Sequence, residues 1–305
     1  MSGGSPLPLL AGLVLAPLLP GVIARVKARL AGRSGPPLLQ LYFDLARLGR
    51  KGAVYSTVTG PVFRIGPAAG LAAAAGALAL VPLGSVPAFA AFEGDLILLV
   101  ALLGAGRFAT VLAALDTGSA FEGMGASRES AFGALAEPGL LLALAALARA
   151  TGSLSLTGIA AGHGPVAAHA GPAFLLAAAA LLILLMAENA RIPVDDPNTH
   201  LELTMIHEVL VLDHSGPDLA LIEYGAALKL WTFGALAAGV ALPAAAGGLP
   251  GGSAVPLAAI LGLAVVAGLV ESTMARLRMN RVPHLLAIAA AFAALALGLV
   301  LRGGA

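Results

Sequence analysis

Eight apolar stretches, each long enough to cross a lipid bilayer, leave this chain of 305 residues few possible architectures. They run roughly over 7–24, 67–83, 96–115, 131–148, 172–187, 219–241, 255–270 and 285–301. About 20 apolar residues in helix cover a ~30 Å hydrocarbon core. Only 11% of the residues are charged, far below the roughly one quarter usual in soluble domains. The expectation is an all-α integral membrane protein: a polytopic bundle of about eight transmembrane helices forming one domain over residues 1–305. The opening MSGGSPLPLL lacks the basic region of a cleaved leader, so Leu7–Ala24 reads as the first span. With no Cys, disulfides, thiolate chemistry and cysteine-held iron–sulfur clusters are excluded within this chain.

Lysine and arginine set the orientation. Arg25, Lys27, Arg29, Arg33, Arg47, Arg50, Lys51 and Arg64 crowd the connection after the first span, and Arg128, Arg191, Arg276, Arg278 and Arg281 lie on the same side. The opposite side carries only Arg149 and Arg302, at span ends. The positive-inside rule then predicts both termini outside a cell inner membrane and the basic connections in the cytoplasm. Within the first of these, Pro37–Arg50 places Leu38, Leu41, Tyr42, Leu45 and Leu48 at helical spacing. This predicts an amphipathic helix on the membrane surface or against a partner.

The connection Glu188–Asp218 is the anomaly, with seven of the sixteen acidic residues and three of the six histidines, His200, His207 and His214. Pro193 and Pro197 predict an extended passage between the end of one span and a new helix capped by Asn198 or Thr199, with Glu202 in its first turn. Ser215, Gly216, Pro217 and Asp218 read as a capping turn for the sixth span. Crowded, poorly hydrated carboxylates raise one another's proton affinity and can pass protons near neutral pH. A metal site is not assigned, since His200 and His207 lie seven residues apart and no HExxH pattern exists. Ionisable residues inside spans point the same way, because charge there faces protein or water. The candidate relay and coupling residues are Arg107, Asp116, Glu137, Glu188, Glu202, Glu208, Glu223 and Lys229. Pro138, just after Glu137, predicts a kink. Arg107 and Lys229 are expected to face inward, near Asp116, Glu137 or Glu223. Arg33, Gln40, Asp44, Arg191, Asp195, Asp196, His200 and His207 are candidates for docking a soluble subunit, since the two large inside connections interleave charge with apolar residues.

The run from Glu188 through Arg191, Pro193, Asp195, Asp196, Pro197, Thr199, His200, Glu202 and His207 to Glu208 resembles the signature of one membrane-subunit family. That family is subunit 1 of respiratory complex I (NADH–quinone oxidoreductase), with its relatives in energy-converting nickel–iron hydrogenases and formate hydrogenlyase of the hydrogenase-4 type. Weaker matches are Arg33, Gly35, Pro36, Leu38, Gln40, Asp44 and Lys51 after the first span, and Ser127, Arg128, Glu137 and Pro138 around the fourth. The chain departs at Leu41, where complex I has Pro, and at Asn198 and His200, where it has further Glu; the wording resembles the hydrogenase branch more. The resemblance implies a non-redox anchor and coupling subunit that holds no cofactor itself. Its partners would be hydrophilic nickel–iron hydrogenase-like and iron–sulfur subunits, antiporter-like membrane subunits and the lipid bilayer, with no nucleic acid. The hydrogenase branch passes electrons from ferredoxin or formate to protons, which speaks against a quinone.

Two rivals stand beside that expectation. One is the same subunit in a quinone-reducing complex. The other is a free-standing ion or solute transporter, disfavoured because no internal repeat is visible and the polar density lies at the inner surface.

Overall fold

The computed structural model describes residues 4–195, 205–242 and 254–303, with the backbone alone at 165 and 167–169. Among these residues the chain is an all-α bundle. The helices are α1 (Pro6–Leu15), α2 (Leu18–Leu30), α3 (Gln40–Leu48), α4 (Pro61–Ala79), α5 (Asp95–Asp116), α6 (Ala120–Thr151), α7 (Leu156–Glu188), α8 (Gly216–Ala241), α9 (Ala254–Thr273) and α10 (Val282–Gly303). Seven are long and apolar enough to cross a membrane, and α1 with α2 makes an eighth span bent by 46°. The most apolar window of α8 is 56% buried, against 22–28% for α5, α9 and α10, so α8 is central and those three form the periphery. Trp231 and Phe233 of α8 lie in the core with Leu181 and Leu184 of α7 and Leu144 of α6. Around them α10 packs on α6 and α7, α4 on α5 and α8, and α2 on α9.

The first span is not the single helix expected over 7–24. Pro17 has no N–H to offer the carbonyl of Leu13, four residues back, so the helix breaks there. The Tyr224 hydroxyl of α8 donates to that carbonyl at 2.8 Å, and the Tyr42 hydroxyl of α3 donates to the carbonyl of Val14. Neighbouring side chains thus supply the donors that a break inside lipid requires. The second span begins earlier than expected, at Pro61, where Asp116 accepts hydrogen bonds from the N–H groups of Gly60 (2.7 Å) and Phe63 (3.0 Å) and so caps α4. α6 runs on through Pro138, and α7 has non-helical backbone angles at Ala170, two residues before Pro172.

The amphipathic helix expected over 37–50 is α3, shorter at both ends and packed against α2 and α8. Leu38, Leu39 and Phe43 remain exposed, and Asp44 holds Gln40 and Arg47 at 2.9 Å each. The passage after α7 is turned rather than extended over its described part. Val194 and Asp195 donate back to the carbonyl of Arg191, and the Ile192–Pro193 bond is cis. The predicted helix start at Asn198 or Thr199 lies outside the described residues. From Met205 the chain runs into a short 3-10 turn, Glu208–Val211. Ser215 does stand at the N-cap of α8, yet its Oγ accepts the N–H of Val54 at 3.1 Å, tying the inside connections together instead of capping its own helix.

Candidate functional site

Three helices bring one cation and three carboxylates together inside the bundle. Arg107 lies mid-way along α5 with its side chain only 8% exposed. Its Nη1 donates to Glu137 of α6 at 2.5 Å, its Nη2 to Glu188 at the end of α7 at 2.5 Å, and its Nε lies 3.3 Å from Glu129 of α6. The planar guanidinium suits this arrangement because its donors diverge in fixed directions. Room for it comes from Gly133, where even a methyl group would fall 2.4 Å from Nη1. Glu129, Gly133 and Glu137 recur every fourth residue and so share one face of α6. On the other side, the Lys229 ammonium of α8 lies 2.7 Å from the second oxygen of Glu188.

A second cluster lies where α7 gives way to the acidic connection. Buried Asp195 accepts the backbone N–H groups of Ile206 (3.2 Å) and His207 (3.0 Å), and the Arg276 guanidinium at 2.6 Å. Leu277 donates to the carbonyl of Pro193 at 2.9 Å, fastening the turn to the chain after α9. Glu271 of α9, buried, meets Lys27 of α2 at 2.7 Å and Arg191 at 3.5 Å. The His207 imidazole joins the two clusters, with Nε2 3.4 Å from Glu129 and Nδ1 3.8 Å from Asp195. These are ion-pair distances, beyond good hydrogen bonds.

A cavity of about 490 Å³ opens beside both clusters. Apolar residues of α2, α4 and α8 form much of its wall, and Arg107, Glu188, His207, Glu208, Glu223 and Lys229 line it as well, with Asp44 from α3. The imidazole, 31% exposed, is among the residues lining this space. The expected residues therefore divide. Arg107, Glu137, Glu188 and Lys229 converge, with Asp195 and His207 adjoining. Glu208 and Glu223 line the cavity, as do Gln40, Asp44 and Arg191. Asp116 stands apart as the cap of α4, and Arg33 is exposed. Asp196, His200 and Glu202 lie outside the described residues. Glu129 is not among the residues expected from the sequence, nor are Glu271, Lys27 and Arg276 expected as site members. Among the described residues no group of three or more His, Asp or Glu is arranged to hold a metal ion.

The acidic connection should respond to pH in a definite direction. Burial pushes the His207 proton affinity down, but the carboxylates of Glu129 and Asp195 outweigh it and hold the group above its ordinary value. Burial pushes Asp195 up, and the facing imidazole and Arg276 bring its carboxyl down to about 2. A raised histidine contributes stability that is complete below about pH 6.5 and lost as pH climbs through the raised value. A depressed aspartate contributes above about pH 3.9 and loses its contribution only as pH falls towards about 2. The connection should be held best between these limits and loosen first on the alkaline side. Amide exchange over 205–214, corrected for intrinsic rates, is expected to show less protection at pH 9 than at pH 6. In His207→Gln that difference should vanish; a variant that keeps it would place the titration elsewhere.

Comparisons with known proteins agree with this architecture. A family described as NADH dehydrogenase matches residues 7–301. Formate hydrogenlyase subunit 4 of Escherichia coli (strain K12) is 33% identical over 293 residues, covering 91% of this chain and 92% of that protein. Hydrogenase-4 component C of the same organism is 32% identical over 295 residues, covering 93% and 91%. In the solved structure of the membrane-bound sulfane sulfur reductase, an archaeal respiratory membrane complex, one chain has the same fold. Its TM-score is 0.79 at 24% identity, with 95% of this chain and 97% of that one covered.

Proposed function

The chain belongs to the NADH dehydrogenase family, and from that premise we propose that it is the non-redox anchor and coupling subunit of a hydrogenase- or formate-hydrogenlyase-like membrane complex. It is a multi-pass membrane protein, placed in this reading in the cell inner membrane with both termini outside and the acidic connection in the cytoplasm. There the connections after α2 and α7 dock hydrophilic subunits that carry the iron–sulfur clusters and the nickel–iron centre, and antiporter-like membrane subunits lie alongside.

The observation that carries the coupling role is a row of ionisable groups, each within ion-pair reach of the next. It leads from Asp195 through His207 and Glu129 to Arg107, which holds both Glu137 and Glu188, and from Glu188 on to Lys229. Charged groups inside a membrane mark ion and proton pathways. The residues have distinct tasks. Glu188 and Glu137 hold or release a proton, while Arg107 and Lys229 set how strongly they do so. His207 connects the row to the cavity and the cytoplasmic surface.

The test is Glu188→Gln in the complete complex, reconstituted into sealed vesicles. Glutamine keeps the size and an acceptor oxygen but does not titrate. Redox turnover is expected to continue while the pH gradient formed per turnover falls several-fold. Pumping at the wild-type ratio would show that this carboxylate is structural.

One observation favours the quinone-reducing alternative, namely the size of the largely apolar cavity beside the charged row. Under that reading the isolated complex reduces an added quinone with the same electron donor that drives the gradient. Turnover with protons alone as acceptor supports the hydrogenase branch.

A further inference from the structure

Two histidines of the chain stack on phenylalanine rings, in different company. His163 of α7 lies 4.2 Å from Phe174, and its Nδ1 is 3.1 Å from the carbonyl of Gly239, so the neighbouring helix satisfies that nitrogen. His214, just before α8, lies 3.9 Å from Phe63 of α4 with the rings 5° from parallel. It is 5% exposed, yet its Nδ1 has no hydrogen-bond partner among the described residues. Buried polar groups are normally paired, and a histidine kept for packing alone would be.

Acids surround this imidazole. Asp213 precedes it at the exposed surface, and buried Asp218 stands in the first turn of α8. The N–H of Asp213 donates to Glu122 of α6 at 3.3 Å. Oδ2 of Asp218 and Oε2 of Glu122 are buried without a partner among the described residues. Tyr55, in the connection after α3, faces the Asp218 carboxylate, and Arg64 of α4 lies 4.6 Å from the centre of the Tyr55 ring. Burial lowers the proton affinity of His214 against the pull of Asp218 and Asp213, so the resting ring is neutral. His214 also lines the cavity, as do His207, Glu129 and Glu188. A space of about 490 Å³ with polar groups in its wall has room for water. A neutral imidazole takes up a proton at one nitrogen and releases one from the other, which suits it to pass protons between acids and water.

We propose that His214 is a proton inlet from the cytoplasmic surface to the cavity, taking protons gathered by Asp213 and Asp218 and releasing them where His207 and Glu188 can draw on them. Each proton enters at one ring nitrogen as another leaves from the second, so the ring returns to neutral and nothing is consumed. The inlet rests on the coupling reading and supplies the row of ionisable groups with its source of protons.

His214→Ala and His214→Phe, in the complete complex within sealed vesicles, test the proposal, with the membrane potential formed per turnover as the readout. Unlike a pH gradient, that potential survives the addition of imidazole, a permeant base. Alanine leaves a space beside Phe63 that free imidazole fits, while phenylalanine keeps the stack but carries no proton. The potential is expected to fall several-fold in both variants, and imidazole should restore His214→Ala and leave His214→Phe low. Wild-type coupling in His214→Phe, or a loss in His214→Ala that imidazole does not restore, would overturn the proposal. Where either variant fails to assemble, Asp218→Asn carries the test. It removes an acid that favours the charged imidazole, so the alkaline fall-off of coupling should move to lower pH; an unmoved profile would equally overturn the inlet. The outcome is separable from that of the Glu188 experiment. Normal coupling in His214→Phe leaves the Glu188→Gln result untouched, and restoration by imidazole stands even where Glu188→Gln pumps normally.

Discussion

Arg107→Met should be the most damaging single substitution in the chain, because it removes the guanidinium that three carboxylates share and leaves them facing one another inside the bundle. Removing one member of a buried ion pair costs about 3–5 kcal/mol, most of it the penalty of the charge left behind. Two of the three carboxylates here are no more than 9% exposed, so water offers little relief. The amount of protein in the membrane and its thermal stability in mild detergent are both expected to fall sharply. Neutralising two of the acids as well, in Arg107→Met with Glu129→Gln and Glu188→Gln, should recover much of the stability. Arg107→Lys separates charge from shape: one ammonium cannot meet acids approached from Nε, Nη1 and Nη2. That variant should accumulate better than Arg107→Met yet form a weaker gradient per turnover. If Arg107→Met accumulates and melts as wild type, the cluster does not hold the three helices together.

Gly133→Ala should be nearly as harmful, although alanine is the better helix former by about 1 kcal/mol. The new methyl would lie 2.4 Å from Nη1, 2.5 Å from Cζ and 2.6 Å from Nε of Arg107. A flexible chain end could step aside, but this guanidinium is fixed by its acids and can retreat only by breaking their contacts. Overpacking of a tight interior costs about 1–3 kcal/mol, so crowding outweighs propensity, and coupling should suffer more than stability. Gly123, on the same helix with open space around it, is the control: Gly123→Ala should be neutral or mildly stabilising. Equal melting temperatures and equal gradients for the two alanine variants would remove the steric argument.

The spans and their number can be read from the sequence because hydropathy over a 20-residue window reports directly on burial in lipid. The same window is blind to the backbone, which is why Pro17 and Pro20 pass as part of one helix. It also places the second span late, since Arg64 lowers the local average although α4 already runs from Pro61. At the site, depth identifies Arg107, Glu137 and Lys229 as unusual, but pairing needs more. Asp116 follows Arg107 by nine residues, about 180° around the helix, so the two cannot meet. Glu188 lies 81 residues from Arg107, and nothing local announces that contact. Glu129 is within reach of inspection: with Gly133 and Glu137 it forms a four-residue repeat that puts two acids and a gap on one face. It escapes notice because it precedes the apolar stretch, where a charge needs no explanation.

The break in the first span has a consequence for how the protein is made. The carbonyl of Leu13, deprived of its own donor by Pro17, waits for a hydroxyl that lies 211 residues further along the chain. Synthesis runs from the N-terminus towards the C-terminus, so this segment is made well before the α8 tyrosine that completes it. Until α8 arrives, the bend stays incomplete and its backbone must be kept near water or against the insertion machinery. Tyr42, only 28 residues from its acceptor, can close its side of the bend much sooner. The two tyrosines thereby mark an early and a late stage of maturation within one short stretch of membrane helix.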